Sequence, residues 1–447
     1  MIKMNISDAA AALSLQRTGE DVTFSGCSID SRTVRAGEMF IAIHGEKFDG
    51  HDFLGQAADN GAVAALVEKG TTDILPSLCC KDTRYTMGQL ASYWRNQFSI
   101  PVIAITGSNG KTTVKEMLTA ILSVHASVNY TRGNLNNDLG VPLTLFGLGS
   151  EHQYAVVEMG ANHPGEIARL CEIARPTVAV ITQCAPAHLE GFGSIAGVAR
   201  AKGEIYAGLE QDGIAIINAD DEFAGFWQEN NLHKKRLTFG LSRPADVTAV
   251  KTTTSALNSF VLKTAEEHIE IDLPLPGDHN IANAAAAATC AIALRIPLSQ
   301  IKEGLENIKP VKGRLQLKTG PASSRIIDDT YNANPGSLLA AIRVLKSLPG
   351  KHWLVLGDMG ELGLEQEKLH EEAGYQARQA GVERLFAVGD LVKHTVSGFG
   401  KGAERFENHE VLISKLLEQI DADVNLLVKG SRSMKMEQVV EALEVKH

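Results

Sequence analysis

The residues best equipped for chemistry lie in one stretch, Pro101 to Thr113, reading PVIAITGSNGKTT. An apolar, β-branched run stops at a glycine-rich turn, Gly107, Ser108, Asn109 and Gly110, and continues into Lys111, Thr112 and Thr113. Such a turn aims backbone N–H groups inward, and a helix beginning near Thr113 adds the positive end of its dipole. This is a cradle for phosphate, in which Lys111 reaches the β- and γ-phosphates and the Thr112 hydroxyl ligates Mg²⁺. The spacing departs from the usual loop, because only Ser108 and Asn109 separate Gly107 from the Gly110–Lys111 pair. Read by itself, the turn also suits the cap of an ordinary helix.

Other reactive side chains fall at the ends of apolar runs, where ligands of an open parallel sheet collect. Glu158 closes YAVVE, His188 follows TVAVITQ, and Lys202 lies on the helical stretch SIAGVARAKGEIYAGL. Singly they suit a helix-capping acid, a loop donor and a solvated lysine. Together, downstream of a phosphate loop, a carboxylate and a neutral imidazole suit a second Mg²⁺. In GDHNIANAAAA, Asn280 and Asn283 stand one helical turn apart, placed to cap the helix or to hold a purine ring. Arg314, in KGRLQ, can neutralise a moving phosphoryl group, and Asp329, ending RIIDD, can accept from ribose hydroxyls. The alternative for both is a surface salt bridge.

The elements around these residues imply an α/β fold in three parts. Residues 1–83, with short strand-like runs such as GEMFIAIHGEKFDGHDF, read as a small α/β domain. Residues 84–313 open with a helix over Met87 to Phe98. Strands follow at Tyr154 to Glu158, Thr177 to Thr182 and Gly213 to Asn218, the rhythm of a parallel-sheet, P-loop-type ATP-binding domain. A polar, β-rich insertion is expected over Val247 to Leu275. Residues 314–447 repeat the rhythm as a Rossmann-like domain, with strands at Arg325 to Asp329, Trp353 to Gly357, Leu385 to Gly389 and Asn425 to Lys429.

At 447 residues the chain exceeds one core. A net charge of −10 argues against nucleic acid or an anionic membrane surface as partner. The six cysteines show neither zinc-type spacing nor disulfide density and read as reduced thiols of a cytoplasmic protein. The N-terminal MIKMNISDAAAALSL has no signal-peptide pattern, and the apolar run Ile281 to Leu294 is too short to span a bilayer, so no integral membrane association is expected.

Over essentially its whole length the sequence resembles the Mur ligases, the ATP-dependent amide-forming enzymes of peptidoglycan precursor synthesis. TGSNGKTT is similar to that family's shortened phosphate loop, and the family pattern falls on Lys111, Glu158, His188, Asn280, Asn283, Arg314 and Asp329. Lys202 matches a lysine that the family carries as a carbamate, an anion able to orient a second Mg²⁺. The segments GNLNNDLGVPLTL, EMGANHPGEI, DDTYNANPGS and GDMGELG, with the stretch from Ala187 to Ile205, resemble the branch that joins D-alanyl-D-alanine to UDP-N-acetylmuramoyl-tripeptide. Arg200 stands where a lysine is expected, and the DNPR of the neighbouring diaminopimelate-adding branch is absent.

The resemblance implies ATP, two Mg²⁺ ions and a carbamylated Lys202, in a bacterial, cytoplasmic monomer. Asp30, Ser31, Arg32, Gly45, His51, Asp52 and Phe53, within DSRTVRAGEMFIAIHGEKFDGHDF, become candidate contacts to the uridine nucleotide. Asn134, Asn136 and Asn137 join them as substrate contacts, and Asn332, Asn334 and Asp358 as candidates for the dipeptide. The implied reaction passes through an acyl phosphate, shielded by closure about hinges near residues 84 and 314. A folylpolyglutamate-synthase-like ligase and an ATP-hydrolysing switch are the competing readings.

Overall fold

The computed structural model describes residues 1–68, 73–186, 189–252 and 258–445. Among them the strands form four sheets. The strand Val102–Thr106 is buried throughout, as its β-branched run requires of a central parallel strand, and it sits inside a nine-stranded sheet. Its neighbours are Val178–Ile181 and Tyr154–Glu158, both parallel to it. Beyond Val178–Ile181 the sheet continues through Ile214–Asn218 and Lys235–Gly240. The expected polar insertion extends this same sheet. Val247–Lys251 pairs in parallel with Lys235–Gly240, and two antiparallel partners, Asn258–Lys263 and His268–Leu273, complete the edge.

Both faces of this sheet are covered. On one, the phosphate-loop helix Lys111–Ser123 packs with the alanine-rich helix Asp278–Ala293 through Val114, Met117, Leu118, Ile121 and the run Ala284 to Ala288. Small side chains let two helices and a sheet approach closely, which explains the alanine run. On the other face the core runs on without a break into the N-terminal region, from Val102, Val141 and Phe146 to Ile2, Phe24 and Met39. The helix expected over Met87 to Phe98 begins earlier, at Thr83, because the Asp82 carboxylate accepts from the Tyr85 N–H and caps it there.

The N-terminal region holds a five-stranded and a two-stranded sheet. The C-terminal region holds a six-stranded sheet with a core on each face. Its centre consists of the four expected strands, Arg325–Asp329, Val424–Lys429, Lys351–Gly357 and Arg384–Val388, all parallel. The two edges, Gln316–Thr319 and Ala403–Phe406, were not readable from the sequence, because QLKT and AERF carry too little apolar character. Among the described residues no helix is long and apolar enough to cross a membrane.

Candidate active site

The carboxyl ends of the middle and C-terminal sheets face one another across a cleft of about 1360 Å³. The phosphate loop forms its floor. Gly107 and Gly110 have φ of +153° and +84°, and a Cβ would stand 1.8 Å from Thr182 Oγ1 at the first and 2.4 Å from Asn283 Oδ1 at the second, so both positions demand glycine. The helix begins at Lys111, two residues before the expected start, and among the described residues no side chain caps it. The N–H groups of its first turn therefore have no intrahelical acceptor and point toward the cleft as an anion site.

The remaining loop side chains fix its shape. Ser108 Oγ donates to Ala185 O at 2.8 Å, Thr182 Oγ1 donates to Asn109 O at 2.5 Å, and Lys111 Nζ folds back onto Gly107 O at 2.7 Å. Burial draws the Lys111 ammonium below the ordinary lysine range and Arg314 adds to this, against the attraction of Glu158 and Glu361. Thr112 and Thr113 are nearly buried, and Thr112 Oγ1 accepts from Arg314 Nη2 at 2.9 Å. The Arg314 guanidinium stacks over Tyr331 at 4.3 Å, and its Nε is buried without a hydrogen-bond partner among the described residues. So Arg314 reaches the phosphate loop and, among the described residues, forms no surface salt bridge.

Glu158, 2% exposed, accepts from Asn136 Nδ2 at 2.9 Å, while its other carboxylate oxygen is buried with no donor among the described residues. An unpaired buried carboxylate oxygen is costly and invites a cation. Asn134 and Asn137 also line the cleft, with Asn137 Oδ1 accepting from Gly140 N. Lys202 does not line the cleft and is 2% exposed. Burial, with the positive charge of Lys111, pulls its ammonium down to about 7 against a small opposing pull from Cys184. His188 lies outside the described residues. Among the described residues no three His, Cys, Asp or Glu side chains gather into a metal cluster.

Asn280 and Asn283 line the cleft and share a face, with Asn283 Nδ2 donating to Asn280 Oδ1 at 3.2 Å; neither caps the helix, whose cap residue is Gly277. Asp329 pairs with Lys429 at 2.5 Å, and Lys429 Nζ also donates to Asn332 O at 2.9 Å. Asn334 caps the helix Pro335–Ser347 and at the same time donates to Asn109 Oδ1 at 2.7 Å across the cleft. Asp358 is elsewhere. It does not line the cleft, and its carboxylate is consumed by the N–H groups of Asp390, Leu391 and Val392.

The N-terminal candidates also lie off this cleft. Asp30 pairs with Arg32 at 2.7 Å, Ser31 Oγ donates to Gln56, and Gly45 N donates to Phe48 O. His51 is fixed between Asp49 and the Glu68 N–H, next to the exposed Asp52 and Phe53. Sequence reasoning overlooked Lys429, His279, Arg343 and Arg432, all of which line the cleft. A lysine ending the expected strand Asn425 to Lys429 was a readable signal; the other three had none.

A nucleotide-phosphate loop closed over by a second doubly wound unit defines a class of phosphoryl-transferring, multidomain proteins. Three family models match the chain: the Mur ligase middle domain over residues 105–291, the Mur ligase glutamate ligase domain over 313–432, and the Mur ligase family catalytic domain over 23–83. The UDP-N-acetylmuramoyl-tripeptide–D-alanyl-D-alanine ligase of Escherichia coli K12 is 45% identical over 99% of both chains. The crystal structure of MurF from Acinetobacter baumannii superposes with a TM-score of 0.93 at 37% identity, covering 99% of this chain and 98% of that one. MurF of Thermotoga maritima, solved in complex with ADP, gives 0.81 at 28% identity over 93% and 96% of the two chains. The chain belongs to the Mur ligase family.

Proposed function

We propose that this ligase joins D-alanyl-D-alanine to UDP-N-acetylmuramoyl-tripeptide at the expense of ATP, making a peptidoglycan precursor in the cytoplasm. The observation that carries the reading is the convergence of Arg314 and Asn334, from one side of the cleft, on the phosphate loop of the other. Full-length similarity to enzymes of that name supports the choice of substrates. The tripeptide carboxylate attacks the γ-phosphorus, the bond to ADP breaks, and an acyl phosphate forms. The dipeptide amine then attacks the acyl carbon, loses a proton and expels phosphate. Lys111 and Arg314 stabilise negative charge on the phosphoryl oxygens, and the open helix N-terminus holds the phosphates.

The unpaired oxygen of Glu158 and the Thr112 hydroxyl are hard donors that fit Mg²⁺, with His188 as a further candidate. Bound there, Mg²⁺ would neutralise phosphate charge. Lys202 has the amine for carbamylation, since an ammonium lowered to about 7 is substantially neutral near that pH. Its nitrogen would add to CO₂, lose a proton and become a carbamate anion able to orient a second Mg²⁺. Asn280 and Asn283 are assigned to the purine, Asp329 to the ribose, Asn134, Asn136, Asn137, Asn332 and Asn334 to the peptide substrates, and the patch from Asp30 to Phe53 to the uridine nucleotide. We take 1–83, 84–313 and 314–447 as domains of a monomer. The left-handed φ of +50° at Leu315, beside Gly313 at +71°, supports a pivot at the second boundary.

The reaction is tested with ¹⁸O in the terminal carboxylate of the tripeptide. Labelled phosphate should appear only when ATP, Mg²⁺ and D-alanyl-D-alanine are all present. Unlabelled phosphate, or rapid ATP consumption with neither organic substrate, assigns the chain to hydrolysis.

A further inference from the structure

One buried charge is left unexplained by this chemistry. Lys115 lies one turn beyond Lys111 on the phosphate-loop helix and is 1% exposed. A buried ammonium persists only where it is paired and hydrogen-bonded. Its Nζ donates to Thr131 O at 2.9 Å, meets Glu116 Oε1 at 2.8 Å and stands 5.8 Å from the centre of the Tyr130 ring. Glu116 balances the charge, which leaves the directional bond to Thr131 as the distinctive contact.

Thr131 follows the edge strand Val128–Tyr130 and has no exposed surface. Its N–H donates to Val156 O at 3.0 Å, and its hydroxyl accepts from the N–H of Glu158 at 3.0 Å. Thr131 therefore holds the backbone of the residue whose carboxylate ends in an unpartnered oxygen. The loop leaving Thr131 also supplies Asn136, which grips the other oxygen of that carboxylate. The phosphate-loop helix and Glu158 belong to different elements, and the chain Lys115 to Thr131 to Glu158 joins them through polar contacts between buried residues.

We propose that Lys115 and Thr131 are positioning residues that set Glu158 against the phosphate-loop helix and thereby fix the affinity of the divalent-cation site. The proposal rests on reading Glu158 as a cation ligand. Groups one step removed from a metal typically change its affinity about 10- to 100-fold when lost.

The test uses the full-length enzyme with ADP and Mn²⁺ in place of Mg²⁺, following bound Mn²⁺ by electron paramagnetic resonance. Thr131→Val keeps the shape and removes the acceptor, and it should weaken Mn²⁺ binding about tenfold or more. Thr131→Ser restores the hydroxyl and should stay within about twofold of wild type, a distinction that loss of packing would not make. Lys115→Met should weaken binding in the same direction, and the double variant Lys115→Met/Thr131→Val should be little worse than either alone. If Lys115→Met does not fold, the two Thr131 variants decide. Wild-type Mn²⁺ affinity in Thr131→Val, with Glu158→Gln defective, overturns the relay. Wild-type affinity in Glu158→Gln instead overturns the reading of Glu158, and the proposal with it.

Discussion

Two β-turn-α units face each other across the cleft, and their turns end in opposite ways. The first runs from Val102–Thr106 to the helix Lys111–Ser123, with Gly110 at the cap position and no side chain bonded to the helix terminus. The second runs from Arg325–Asp329 to Pro335–Ser347, where Asn334 and Ser337 form a capping box and a proline opens the helix. The first helix leaves its N–H groups for a ligand, whereas the second satisfies its own. This difference divides the labour of the cleft. Under the proposed function the open terminus is the one that would receive phosphate, while the closed one gives its remaining donor, the Asn334 amide, to the opposite loop.

The largest effect should come from the open unit. Lys111→Ala should lower ligation about 10²-fold or more while the melting temperature stays near wild type, because among the described residues the side chain hydrogen-bonds to the loop carbonyl alone. Retention of a tenth of the activity would break the assignment of phosphate to that terminus. Lys202→Ala should be largely inactive, and acetate should partly restore turnover by supplying a carboxylate in place of the proposed carbamate. No rescue, together with no 44-dalton adduct in the intact mass of the wild-type protein (about the mass of CO₂ added to an amine), makes Lys202 an ordinary buried lysine.

The closed unit yields a smaller, separable effect. Asn334→Ala removes both the cap and the bridge, so stability should fall by about 1 kcal/mol and the KM for ATP should rise. Asn334→Ser keeps a capping oxygen and cannot span to Asn109, so it should raise KM with stability nearly unchanged. Equal KM values for wild type and Asn334→Ser would show that the bridge has no part in nucleotide binding.

The smallest effect concerns how the C-terminal unit is finished internally. His370, fully buried, accepts from Met359 N at 3.0 Å and donates to Gln366 O at 2.7 Å, so it is held neutral. Burial keeps its protonation below the ordinary value of 6.5. The unfolded chain then binds the proton more readily, so this contribution is fully present above 6.5 and is lost as pH falls below it. Chemical denaturation of the C-terminal unit, followed through Trp353, should show a lower midpoint at pH 5.5 than at pH 7.5. His370→Gln should flatten that slope, and an unchanged slope would assign it to other groups.

The sequence by itself determined the phosphate loop, the parallel strands and the residues at their carboxyl ends, because these depend on local signals: β-branched runs, glycines where φ is positive, and reactive side chains at strand termini. The family was legible for the same reason, since its motifs are contiguous. Tertiary structure alone decided which distant groups meet. Arg314 and Thr112 are far apart in the chain, as are Asn334 and Asn109, and no periodicity encodes their contact. It also separated residues that look alike as letters. Asp329 and Asp358 both close strand-like runs, yet one meets Lys429 in the cleft and the other binds three backbone N–H groups outside it. A lysine in an amphipathic helix reads as solvated until a neighbouring strand covers it, and only the packing of Val128–Tyr130 against the phosphate-loop helix turned Lys115 into a buried donor.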